Sequence, residues 1–154
     1  MENVQRVERM LETAIAAGAT PLVRGGPAKD GPPTRGAFFR RALLEIAGHD
    51  LLIAQDEAFG PAPVMQAFDG GAEAIAPARN SAYPLAASVW STNVDRPLRI
   101  ARRINAGTVR INNWTVVCSE TEEGGCKQSG LGRLNGMAAW TTSSSTRPSC
   151  TRST

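Results

Sequence analysis

The sequence predicts an α/β fold, a largely parallel sheet with flanking helices, and three observations carry that reading. Between residues 62 and 112 strand patterns alternate with helix patterns, the order that lays parallel strands side by side with crossover helices packed on them. An amphipathic helical spacing opens the chain, and clusters of glycine and proline punctuate the segments that follow. With 154 residues, 42% of them hydrophobic, the chain is long enough to bury the core of one ordinary domain, and it shows no internal repeat.

Val4, Val7, Leu11, Ala14 and Ile15 recur at helical spacing, with Gly18 placed to cap the helix end. Thr20-Pro21-Leu22-Val23 reads as a short strand, and residues 25 to 36 as a loop built on glycine and proline. Residues 38 to 46 are apolar and extended enough for a strand. Residues 62 to 68 predict another, because a residue before proline prefers an extended backbone and Pro61 leads into it. Residues 71 to 80 have helical spacing, with Pro77 falling inside at a typical interior cost of about 3 kcal/mol. Residues 83 to 91 predict a buried strand. Residues 93 to 106 predict a helix with a polar start, Pro97 in its first turn and Gly107 as its stop. Residues 108 to 112 supply the last strand.

Composition excludes several classes of function. A net charge of +3 and a pI near 9.1 are basic, but the basic residues are scattered and only Arg40-Arg41 and Arg102-Arg103 are adjacent, so nucleic-acid binding is not expected. No apolar run approaches the roughly 18 residues of a membrane helix, and the polar amino terminus has no signal-peptide core; a cytoplasmic protein is expected. Cys118, Cys126 and Cys150 form no C-x-x-C pair and His49 is the only histidine, which argues against a metal site and for free thiols. His49, beside Asp50, reads as a surface residue.

Two strings narrow the function: Gln55-Asp56-Glu57-Ala58-Phe59-Gly60-Pro61 and Glu122-Glu123-Gly124-Gly125-Cys126-Lys127-Gln128-Ser129-Gly130. With Tyr83-Pro84-Leu85 and Ala106-Gly107-Thr108-Val109 between them, the chain resembles an aldehyde dehydrogenase from about residue 3 to Ala139. That family oxidises an aldehyde through a cysteine thiohemiacetal with hydride transfer to NAD or NADP. The resemblance implies that Glu57 accepts hydrogen bonds from the nicotinamide ribose hydroxyls and that Phe59 packs beside the nicotinamide. A carboxylate has two oxygens for a vicinal diol, and an apolar ring can position the cofactor ring. A surface glutamate and a core phenylalanine are the plain alternative.

Trp114 and Val117 occupy the place where the family lines its substrate tunnel, and core packing is the other reading of both. Glu122 and Glu123 stand where many members have Pro-Phe, and read as a solvated acidic turn. Residues 124 to 130 lack the spacing of a phosphate-binding P-loop. The resemblance makes this loop architectural, with Lys127 an anchor. Neither Cys126 nor Cys118 has the base or electropositive setting of a nucleophile, so no catalytic residue is assigned.

The resemblance breaks at three places. Pro84 replaces a glycine and removes a backbone donor, Pro77 sits within a helix, and residues 140 to 154 are rich in serine and threonine with no alternating apolar pattern. A one-base insertion before the Trp140 codon, with suitable third bases, lets those codons read Met-Asp-Asp-Phe-Leu-Glu-Tyr-Lys-Thr-Ile-Val-His, which is similar to the family's own ending. Residues 1 to 139 are therefore expected to be a partial catalytic domain and 140 to 154 an atypical, disordered tail of frameshift origin. Family members pair subunits through the strand at that place, so homo-oligomer assembly is expected to be compromised.

The expectation is the carboxy-terminal portion of an NAD(P)-dependent aldehyde dehydrogenase acting on a small-molecule aldehyde. The chain contains neither the dinucleotide-binding domain nor a cysteine upstream of Glu57, and is expected to be inactive alone. The alternative is a non-catalytic module that docks on a full-length relative.

Overall fold

A computed structural model describes residues 2–28, 36–114, 116–137 and 139. The chain divides into two compact units at the Phe68–Asp69 junction.

The first unit is built on helix α1 (Glu2–Ala16), whose Val7, Met10, Leu11 and Ala14 form one apolar stripe and are all buried. Against that stripe pack Ala19, Ala42, Leu44, Ile46, Ile53 and Ala62, with Leu11 and Leu44 fully excluded from solvent. Gly18 ends α1 as expected. It adopts φ +100°, its amide donates to the Ile15 carbonyl at 3.0 Å and the Ala19 amide donates to Ala14 at 2.9 Å, the bonding pattern of a Schellman motif.

Strand β1 (Thr20–Val23) pairs antiparallel with β4 (Leu43–Glu45), and β4 pairs parallel with β5 (Val64–Met65), so β4 is the central strand. A separate antiparallel pair joins β2 (Gly26–Pro27) to β3 (Phe39–Arg40). The strand expected over residues 38 to 46 is thus two strands with different partners. The expected loop from residue 25 contributes the short β2 instead.

The strand expected over residues 62 to 68 is regular only at Val64–Met65. The neighbouring backbone still lies along β4: Ala42, Leu44 and Ile46 donate to the carbonyls of Pro61, Pro63 and Met65 at 2.9, 3.3 and 2.9 Å. Pro61 and Pro63 have no N–H to return, which shortens the ladder without bending the chain away. Helix α2 (Leu52–Gln55) is a single turn with Ile53 buried, too short for a periodic sequence signal.

The second unit begins with α3 (Gly71–Arg79), which buries Ile75 and runs through Pro77 in its last turn. Strands β6 (Ala86–Val89) and β7 (Thr108–Ile111) pair in parallel over four residues, from Ala86 opposite Thr108 to Val89 opposite Ile111, with α4 (Arg96–Ala101) between them in sequence. This is the β–α–β unit that the alternation predicts. The helix expected over residues 93 to 106 is shorter at both ends. Asn93 nevertheless acts at its start, its side-chain oxygen accepting from the amides of Asp95 and Arg96 at 3.0 and 2.8 Å. The donor that Pro84 lacks falls before β6, where its carbonyl still accepts the Gly107 amide at 3.1 Å. No described helix is long and apolar enough to cross a membrane.

Candidate functional site

Glu57 and Phe59 lie in the loop between α2 and β5, and α1 holds that loop by its backbone. Asn3 and Arg6 stand one turn apart on the helix. Arg6 donates to the carbonyls of Glu57 and of Ala58, the latter at 2.9 Å, while the Asn3 amide donates to the Phe59 carbonyl at 2.9 Å. Three successive carbonyls are engaged on α1. The Glu57 and Phe59 side chains are both exposed, Phe59 at 76%. Phe59 adopts φ +49°, a left-handed conformation with a strain of order 1 kcal/mol or more for a bulky residue.

Gly60 follows because the chain touches α1 there: a Cβ at residue 60 would lie 2.8 Å from a Val7 methyl. Exposure overturns the alternative that Phe59 is a core residue. Asn3 and Arg6 were not legible as its supports, because nothing in their helical spacing points to carbonyls more than fifty residues away.

In the second unit, Asn112 turns the chain out of β7 at φ +49°, locked by reciprocal bonds between its side-chain amide and the Ser91 backbone, each 2.8 Å. Arg110 ties down the segment that follows. Its guanidinium donates to the Val116 carbonyl at 3.0 and 3.2 Å and pairs with the Glu123 carboxylate. Trp114 is 54% exposed and lines a cavity of about 340 Å³ together with Leu85, Ala86, Arg110, Glu123 and Leu134. Val117 is 61% exposed and lies outside that lining. Core packing is therefore excluded for both, and only Trp114 faces the cavity.

The acidic turn departs from expectation. Glu123 is a partly buried ion-pair partner of Arg110 rather than a solvated carboxylate, so its charge is compensated inside the protein. Glu120, fully exposed, has its carboxyl held below the usual range by hydrogen bonds from the Ser119 side chain and from its own backbone.

The glycine loop is architectural. A Cβ on Gly107 would fall 1.8 Å from the Gly124 carbonyl oxygen, and one on Gly124 2.2 Å from that of Gly132, so backbone passes directly against backbone here. Lys127 donates through Nζ to the Ser81 carbonyl at 2.7 Å and Gln128 through its amide to Ala82 at 3.1 Å, an anchoring role for the short 3₁₀ turn Lys127–Ser129. Free thiols were expected throughout. Cys118 is free and exposed, and Cys126 is buried. His49 is half-buried, with its carbonyl accepting from Gln55 at 2.7 Å.

The sequence model of the aldehyde dehydrogenase family matches residues 1–147. The chain belongs to that family. It is 35% identical over 133 residues to a betaine aldehyde dehydrogenase of Bacillus subtilis, covering 86% of this chain and 27% of that enzyme. An aldehyde dehydrogenase of Emericella nidulans is 37% identical over 134 residues, covering 87% and 26%.

Among solved structures, a Mycobacterium tuberculosis aldehyde dehydrogenase complexed with NAD+ superposes with a TM-score of 0.81 at 35% identity, over 90% of this chain and 28% of that one. An NAD-dependent aldehyde dehydrogenase of Sinorhizobium meliloti gives 0.82 at 32% identity, over 92% and 28%. The chain thus has the α/β fold of an aldehyde dehydrogenase fragment and spans about a quarter of the length of these relatives.

Proposed function

We propose that this chain is the carboxy-terminal portion of an NAD(P)-dependent aldehyde dehydrogenase that oxidises an aldehyde to a carboxylic acid. The observation that carries the reading is the Glu57–Phe59 loop. Its backbone is bound to α1 through Asn3 and Arg6, while its carboxylate and ring are left exposed to solvent. Such a loop is prepared to meet a ligand: the carboxylate can accept from two ribose hydroxyls, and the ring can lie against a flat apolar surface. NAD or NADP, when bound, supplies the hydride acceptor. Trp114, on the wall of its cavity, would exclude water from an aldehyde's apolar side, with Val117 assigned to the same tunnel by resemblance.

The chain alone is proposed to be inactive, since it has no cysteine before Glu57 to attack an aldehyde. Compromised homo-oligomeric assembly and a soluble cytoplasmic setting belong to the same proposal, with NAD or NADP as the cofactor of the complete enzyme.

The test is a chimaera in which residues 2–139 replace the matching segment of the Bacillus subtilis betaine aldehyde dehydrogenase. Glu57→Ala in that chimaera should raise KM for NAD about tenfold, the worth of hydrogen bonds to one charged group. An unchanged KM would remove Glu57 from the cofactor site.

A second reading, a module that docks on a full-length relative, is favoured by the exposed Trp90 and Val94 beside Ile111. Binding to such a relative without turnover of the complex would distinguish it.

A further inference from the structure

A cavity of about 400 Å³ lies between the start of α3 and the face of α4 in the second unit, lined by Asp69, Gly70, Gly71, Ala72, Ile75, Arg96, Arg99, Ile100 and Arg103. Ile75, buried, and Ile100 supply its apolar lining, and α3 comes so near α4 that a Cβ on Gly71 would meet the Ile100 side chain at 3.2 Å. Three arginines against one aspartate make the lining cationic. Arg96, Arg99 and Arg103 follow one another at intervals of three and four residues, which brings their side chains to one side of α4 and of the turn after it. None of the three guanidiniums has an ion pair or hydrogen bond among the described residues, whereas Arg6, Arg24, Arg110 and Arg133 are all engaged.

Across the cavity Gly70 precedes α3 and offers no side-chain cap, so the first amides of the helix are free of one. The acid of its first turn, Glu73, is occupied in accepting the Asp69 amide at 2.9 Å.

We propose that this cavity binds a phosphate-bearing small molecule, with the Arg96, Arg99 and Arg103 guanidiniums on the phosphate oxygens. A guanidinium fork matches phosphate geometry and stays charged at every accessible pH, and three of them suit an anion of charge two or more. The Gly71 and Ala72 amides add donors of the kind that helix starts present to anions, and the apolar lining gives the remainder of the ligand a surface.

Pyrophosphate titrated into the ¹⁵N-labelled chain at constant ionic strength tests this. The Gly71 and Ala72 amide resonances should shift and saturate. Arg99→Gln with Arg103→Gln should weaken the binding about tenfold or more, as expected for the loss of two charge-assisted contacts. Arg79→Gln with Arg102→Gln, which removes the same charge from residues that are exposed like Arg99 and Arg103 but lie outside the lining, should leave it unchanged. Equal weakening by both pairs, or shifts that grow without saturating, would show general screening and overturn the site. Acetate at matched ionic strength provides a check on the unaltered chain, and a response equal to that of pyrophosphate would overturn it as well.

Discussion

Arg6 shows how one side chain can organise a loop. Its contacts to two successive carbonyls, with Asn3 on a third, fix Glu57 and Phe59 from behind, so the positive φ of Phe59 is held by backbone bonds rather than by packing of its ring. Arg6→Ala should lower the stability of the first unit by about 1 kcal/mol, the low end for a charged donor because part of this contact is exposed and water can replace it. Urea unfolding should report the loss as a lower midpoint at constant slope, and an unmoved midpoint would mean that the loop holds itself. The residue scale also separates what resembles from what packs. Glu57 was visible in the sequence as a motif. Arg6 was not, because its partners are carbonyls, and any residue type can provide those.

At the scale of elements, what was legible followed local physics. The apolar stripe of α1 and its Gly18 stop, α3 from residue 71, and the parallel β6–α4–β7 unit could be read because periodicity and capping residues act within a few positions. The strand split at Arg41, the short β2 and the single turn of α2 could not. Each is decided by a partner distant in sequence or is too short to repeat a pattern. The cavity divides in the same way: Trp114 was singled out by its place in the motif order and lines it, while the Arg110–Glu123 pair beside it needed the fold to bring two distant stretches together.

Pro77 is the element-scale conflict that persists, since α3 continues through a residue that cannot donate to Glu73. Pro77→Ala should stabilise the second unit by about 1 kcal/mol, less than the roughly 3 kcal/mol of a mid-helix site because Pro77 lies in the last turn. A rise in the thermal unfolding midpoint is expected. A fall would show that the half-buried ring is worth more in packing than the missing hydrogen bond costs.

For the whole molecule, the decisive fact is coverage: a family match over residues 1–147, on a chain that spans about a quarter of its relatives. Large apolar side chains such as Trp90 and Val94 are exposed, the kind of surface that binds a partner or ligand. Residues 140 to 154 lie outside the described residues, and a one-base shift is the proposed origin of their composition. The coding DNA, read one base out of frame from the Trp140 codon, should then encode a Phe-Leu-Glu-Tyr-Lys ending, and a sequence with no such frame would end that proposal.

The central claim is that this chain contributes a cofactor-facing loop to an aldehyde dehydrogenase whose nucleophile comes from elsewhere. It is tested most directly by NADH formation from betaine aldehyde and NAD+, measured for the 154-residue chain alone and for the chimaera carrying residues 2–139. Turnover by the chimaera and none by the chain is the predicted result. Turnover by the chain alone, or a folded chimaera that forms no NADH, would contradict it.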